Sequence, residues 1–159
     1  MAPLGARLAL DVITRLAKGP VPGTKQDPAL VTRAPKLKKE DGLIDWSRSA
    51  RQVCNQIRAM QPWPTAYTFL HHAGQPPLRV LVIKAVAADS GTASARAGRA
   101  EAVGTQALYV AAVGGGRVKV LELQPAGKRR MTAEEFLRGR RVAVGDSFGS
   151  EATTSEPEA

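Results

Sequence analysis

Ala107-Leu108-Tyr109-Val110-Ala111-Ala112-Val113-Gly114-Gly115-Gly116-Arg117-Val118-Lys119-Val120-Leu121-Glu122-Leu123 is the stretch that decides the fold. Two runs of apolar and β-branched residues flank three glycines, the pattern of a β-hairpin. No Gly-Lys-Ser/Thr follows the glycines, so they read as a turn and not as a phosphate loop. Upstream, Leu78 to Ala88 is a longer run rich in β-branched residues, and Ala66 to Leu70 a short strand. His72 to Pro77 forms the turn between them. Ala100 to Val103 reads as a weak strand, and Asp89 to Gly98 as a small, polar, flexible loop. Several short strands with close turns predict a small OB-like β-barrel. The fold class is mainly β with flanking helices, α+β.

Helices bracket this β region. Ser47 is the expected N-cap of a helix whose buried stripe is Ala50, Val53, Cys54 and Ile57, with Met60 near its end. Pro62-Trp63-Pro64 terminates it, because proline cannot continue a helix. Thr132-Ala133-Glu134-Glu135 has capping-box spacing for a last helix, with Met131 placed to staple to Phe136 and Gly139 at its end. Near the start, Leu8, Val12 and Leu16 recur every four residues, and Leu4, Leu10 and Ile13 widen the stripe. That predicts an amphipathic helix over Leu4 to Lys18, stopped by Gly19-Pro20. Pro20 to Pro35 holds five prolines or glycines at spacings that favour an extended linker. The expected organisation is a helix in 1–19, a linker in 20–35, an OB-like domain in 36–150 and a disordered acidic tail in 151–159.

Lysine and arginine number 23 against 14 aspartates and glutamates, a net charge of +9. The tail from Glu151 holds three of the acids and no base, so residues 1–150 carry +12. Such an excess favours a polyanionic partner, with nucleic acid ahead of an anionic membrane. Charges interrupt every apolar segment, so no run approaches a bilayer span and no membrane partner is expected. Met1 to Gly19 lacks the continuous apolar core of a signal peptide. Cys54 is the single cysteine, which excludes an internal disulfide and a multi-cysteine metal site. His71 and His72 are neighbours on a strand, point to opposite faces and chelate poorly, so no metal is expected. Asp45, Glu122 and Asp146 are scattered acids with no evident histidine or nucleophile partner, and no catalytic constellation emerges. Aromatics make up only 4% of the chain, so Trp46 and Trp63 read as core, while Tyr67 and Tyr109 remain undecided between core and base stacking.

Three basic clusters are the candidate RNA-binding residues. Lys128, Arg129 and Arg130 stand in a row before a helix N-terminus, where clustered cations and free backbone N–H groups both attract phosphate oxygens. Lys36, Lys38 and Lys39 follow the linker and read equally as a solvated connector or as a contact to RNA. Arg138, Arg140 and Arg141 end the last helix, where complementing the helix dipole is the simpler reason for them.

Three segments, in order, carry a resemblance: Pro35-Lys36-Leu37-Lys38-Lys39-Glu40-Asp41-Gly42-Leu43-Ile44-Asp45-Trp46, then Arg58-Ala59-Met60-Gln61-Pro62-Trp63-Pro64, then Gln124-Pro125-Ala126-Gly127-Lys128-Arg129-Arg130-Met131-Thr132. Together they resemble the carboxy-terminal domain of the methionyl-tRNA formyltransferase family, over about Gly5 to Gly149. The resemblance implies a basic surface offered to initiator tRNA through phosphate contacts. It also implies a separate catalytic domain that binds 10-formyltetrahydrofolate and uses Asn, His and Asp to formylate initiator methionyl-tRNA in translation initiation. Residues 1–19 then resemble the last helix of that catalytic domain. None of the segments with those catalytic residues is matched here, so this chain alone is expected to be inactive and to hold no cofactor. A monomer in the cytoplasm, or alternatively the mitochondrial matrix, is the expected setting. Two alternatives stand beside it: a stand-alone RNA-binding adaptor, and the equivalent domain of another formyltransferase. Arg33, where the family frequently has Tyr, and Ala97-Gly98, where Pro-Gly is common, depart from the pattern.

Overall fold

In the computed structural model, the Gly114–Gly116 turn folds β4 (Ala107–Ala111) back on β5 (Arg117–Pro125), with Leu108 opposite Val120 and Val110 opposite Val118. The structure describes residues 2–88, 96–103, 106–140, 142–143 and 145–152. They fall into two units, Met1–Pro35 and Lys36–Ala159.

The first unit consists of α1 (Ala2–Leu16) and an extended segment. A single 3-10 turn, Pro28–Leu30, is capped by the Asp27 carboxylate on the Ala29 N–H at 2.9 Å. The helix buries no residue, and its stripe of Leu4, Leu8, Val12 and Leu16 is exposed.

The second unit is an antiparallel sheet ordered β3-β4-β5-β2-β1-β7, with β6 paired to β5. β1 is Tyr67–His71, β2 is Leu78–Ala88 and β3 is Ala100–Val103. β6 (Met131–Thr132) and β7 (Ser147–Gly149) were not legible in the sequence, because two or three residues carry no periodicity. β2 is long enough to pair with β1 along its first half and with β5 along nearly all its length. A bulge around Lys84 adds twist to the sheet at that point. The curl brings the two ends of the path together. Arg99 bridges to Ser147, the Ala100 N–H donates to Asp146 O at 2.9 Å, and the Phe148 N–H to Gly98 O at 2.7 Å.

The inner face is built from alternate residues, as the two-residue strand period requires. Val80, Val82, Leu108, Val110, Val118, Val120 and Leu123 are all buried there. α2 (Ala50–Ala59) adds Val53 and Ile57, and α3 (Ala133–Gly139) adds Phe136 and Leu137. Trp46 lies against Phe148, with centroids 6.2 Å apart, and its Nε1–H donates to buried Thr68 Oγ1 at 3.1 Å. Thr68 in turn donates to Gly149 O, so the one buried hydroxyl of this wall is satisfied on both sides. Burial pushes the half-buried Cys54 thiol above its usual range against the opposing pull of Arg58, which keeps it protonated and inert at neutral pH.

Two expectations are corrected. The N-cap of α2 is Ser49, in a reciprocal capping box with Gln52, and not Ser47. Asp45 captures Ser47 instead, accepting both its backbone N–H and its hydroxyl, and these bonds, with Arg48 beside them, hold the Asp45 carboxyl below the usual range. Trp63 is not core: it is half exposed. The Thr65 N–H closes on Met60 O at 2.8 Å, and the short loop between them leaves Trp63 at its outer end. Ser49→Ala should therefore cost about 1 kcal/mol, the usual worth of a cap. Ser47→Ala should cost clearly less, since it loses exposed bonds to one carboxylate. Urea denaturation of the two variants side by side decides between the two serines.

Candidate nucleic-acid interface

The loop that carries Lys128, Arg129 and Arg130 is rigid at both ends. After β5 the chain turns, with Lys128 N–H on Pro125 O at 3.0 Å and Gln124 Nε2 on Lys128 O at 3.0 Å. The Ala126 N–H ties the turn to Arg79 O of β2 at 2.9 Å. β6 then returns along β5, with Met131 opposite Leu123 and Thr132 opposite Glu122. The three bases thus sit on a hairpin and not on a free loop. Thr132 caps α3 in the expected capping box, with its hydroxyl accepting from the Glu135 N–H and the Glu135 carboxylate accepting from the Thr132 N–H at 2.8 Å.

α3 has only seven residues, so its far end lies close to this hairpin. Between them opens a groove of about 450 Å³. Lys128 and Arg129 line it from the hairpin, and Arg138 and Arg140 from the end of α3. Leu78, Met131 and Phe136 supply apolar lining, and Glu135 is the one acid among the lining residues. Two members of each of two sequence clusters therefore meet on one rim, and Arg130 is not among the residues that line it.

The cations are not equivalent. Arg129 Nη2 pairs with Glu135 Oε1 at 2.8 Å, and Arg130 Nε with Glu122 Oε2 at 2.7 Å. Arg138 pairs with Glu134 one turn earlier on α3. Arg140 donates to a neutral partner, Gln75 Oε1 of the β1–β2 turn, at 2.6 Å. Lys128 forms no ion pair with any described residue. These ion pairs are exposed, and such pairs are worth about 0–1 kcal/mol, so a phosphate can replace the carboxylate at small cost. The Thr132 backbone N–H, then Arg129, hold the Glu135 carboxyl below the usual range. Its folded value is depressed, so this support is complete above the ordinary glutamate range and fades as pH falls through the folded value.

Lys36, Lys38 and Lys39 are exposed at the start of the second unit and do not line the groove. Lys39 precedes a 3-10 turn, Glu40–Gly42, which Gln56 of α2 pins through bonds to Asp41 O and Leu43 O. Arg141 lies outside the described residues, as do residues 89–95 of the expected Asp89 to Gly98 loop and the tail from residue 153 onward.

The two tyrosines differ in their surroundings. A Cβ on Gly42 would lie 3.2 Å from the Tyr67 ring, and the Arg79 guanidinium sits 4.2 Å from that ring's centroid. Arg79 therefore occupies one face of Tyr67, and Gly42 packs close against the ring. Tyr109 is half-buried, with Arg117 and Lys119 at 5.1 and 5.9 Å from its centroid. One pairing was missed in the sequence. Asp146 is buried, with its Oδ1 in hydrogen-bond contact with His72 Nδ1 at 2.8 Å, while its other oxygen accepts the Ala143 N–H. The two residues stand 74 positions apart, and nothing local signals their meeting. Among the described residues no three His, Cys, Asp or Glu side chains gather as a metal site, and no helix is long and apolar enough to cross a membrane.

Comparison with known proteins matches residues 36–141 to the formyl transferase C-terminal domain family. Curated relatives include the methionyl-tRNA formyltransferase of Citrifermentans bemidjiense, 40% identical over 149 residues, which is 94% of this chain and 44% of that protein. The methionyl-tRNA formyltransferase of Bacillus subtilis is 39% identical over 145 residues, 91% of this chain and 44% of that protein. That of Symbiobacterium thermophilum is 37% identical over 158 residues, 99% of this chain and 47% of that protein. The chain spans less than half the length of these relatives.

Proposed function

The chain belongs to the formyl transferase C-terminal domain family, and from that premise we propose that its second unit holds tRNA for formylation of initiator methionyl-tRNA. The reading rests on one observation: bases from two separate stretches, Lys128–Arg129 and Arg138–Arg140, converge on the rim of one groove beside α3. A polyanion that enters it exchanges exposed carboxylate partners for phosphates and releases its own counterions. The formyl donor in this proposal is 10-formyltetrahydrofolate, bound by a catalytic domain to which this unit delivers the RNA, in the cytoplasm. The chemistry belongs to that domain.

Filter binding of this chain to unacylated tRNA at several salt concentrations tests the proposal. About 4–6 phosphate contacts should give a log–log salt slope of roughly −3 to −5. Initiator and elongator tRNA should bind almost alike, because phosphate contacts carry no direct sequence information. A salt-independent affinity would remove the groove from any RNA-binding role.

A further inference from the structure

The groove is not the only basic recess on the second unit. A second cleft of about 540 Å³ opens at the seam where β3 meets β7, lined among others by His71, Arg96, Arg99, Ser147 and Ser150. None of the described residues that line it is acidic. Arg99 is exposed and forms no ion pair with a described residue. Its backbone is fixed by the bridge to Ser147, so the side chain projects from a rigid point. His71 is held by Nε2 against Ser150 O at 2.7 Å.

The two recesses flank the same turn. His71 ends β1 and lines the seam cleft, while Leu78 begins β2 and lines the groove. Leu70 pairs with Leu78, and neighbouring strands lie about 4.8 Å apart. Residues 72–77 are the turn that joins these two strand ends. Arg140, which lines the groove, donates to Gln75 of this turn, and His72 of the same turn meets Asp146, the neighbour of the cleft residues Gly145 and Ser147.

Resting on the proposed function, we infer that the phosphate track does not end at the groove. It crosses the β1–β2 turn into the seam cleft, where Arg99, with His71 beside it, takes a further phosphodiester of the same RNA backbone. Arg99 is assigned here as a binding residue outside all three basic clusters of the sequence. It was invisible there because it stands among alanines and glycines, with Arg96 three positions away.

The test uses the full chain and unacylated tRNA, with filter binding at four or more salt concentrations and a thermal melt of each variant. Arg99→Ala should flatten the log–log slope by about 0.7–0.9, the value of one phosphate contact. Arg99→Glu should weaken binding further, and Arg99→Lys should retain the parental slope. All three should melt as the parent does, since the side chain is exposed. Should Arg99→Glu fail to fold, Arg99→Gln carries the same test. An unchanged slope and affinity in the charge-reversed variant, while a Lys128→Ala/Arg140→Ala variant loses binding, overturns the extension and leaves the groove standing. If neither variant alters binding, the extension and the proposed function fall together.

Discussion

Gly98→Ala should lower the stability of the second unit by about 2–4 kcal/mol, a large share of the roughly 5–15 kcal/mol typical of such domains. Two separate costs add. Gly98 has φ +83°, where an L side chain costs about 1 kcal/mol. A Cβ there would also lie 2.3 Å from Phe148 O, a backbone atom that cannot swing aside. The contact sits at the closing seam, where Phe148 N–H donates to Gly98 O and the Gly98 N–H to Ala111 O. Moving β7 away to relieve the clash loosens the seam and the Trp46–Phe148 contact behind it, an overpacking cost of roughly 1–3 kcal/mol. Gly114 separates the two terms, since it has φ +77° but nothing within 4 Å of its Cβ position. Gly114→Ala should therefore cost only about 1 kcal/mol. Equal losses in the two variants, read by urea denaturation, would show that the seam yields freely.

The contrast between these glycines also marks what a sequence can carry. Gly114 belongs to a local pattern, two β runs around a turn, and the hairpin was readable from it. The same holds for β2, for the stripe of α2 and for the capping box of α3, each defined within a dozen neighbouring residues. Gly98 matters because of Phe148, fifty residues on, and β7 is too short to announce itself. The Ser49 cap shows a finer limit. Ser47 and Ser49 both suit an N-cap, and only the competing carboxylate of Asp45 decides between them. Trp63 looked like core by scarcity of aromatics, yet a loop between prolines is governed by its closure, not by composition. At the candidate interface the basic clusters were legible as chemistry. Their meeting was not, since it depends on β6 folding back and on α3 being only two turns long.

That meeting makes the contributions of the bases unequal, and the inequality is measurable. Among the described residues Lys128 has no carboxylate partner and Arg140 has a neutral one, so a phosphate at either displaces counterions directly. Arg129 and Arg130 must first give up Glu135 and Glu122, so part of their charge is already neutralised. Lys128→Ala with Arg140→Ala should flatten the salt slope for tRNA by about 1.4–1.8 units and weaken binding on the order of 10–50-fold at 0.1 M salt. Arg129→Ala with Arg130→Ala removes the same formal charge but should flatten the slope by less. Its affinity should still fall, because Glu135 and Glu122 are then left facing the RNA without their cations. Adding Glu135→Gln to that second variant should recover part of the loss, which simple charge counting over the triplet does not distinguish from any other neutralisation. Equal slopes in the two double variants would mean that the carboxylates play no part, and that bound RNA meets Lys128, Arg129, Arg130 and Arg140 as four equivalent charges.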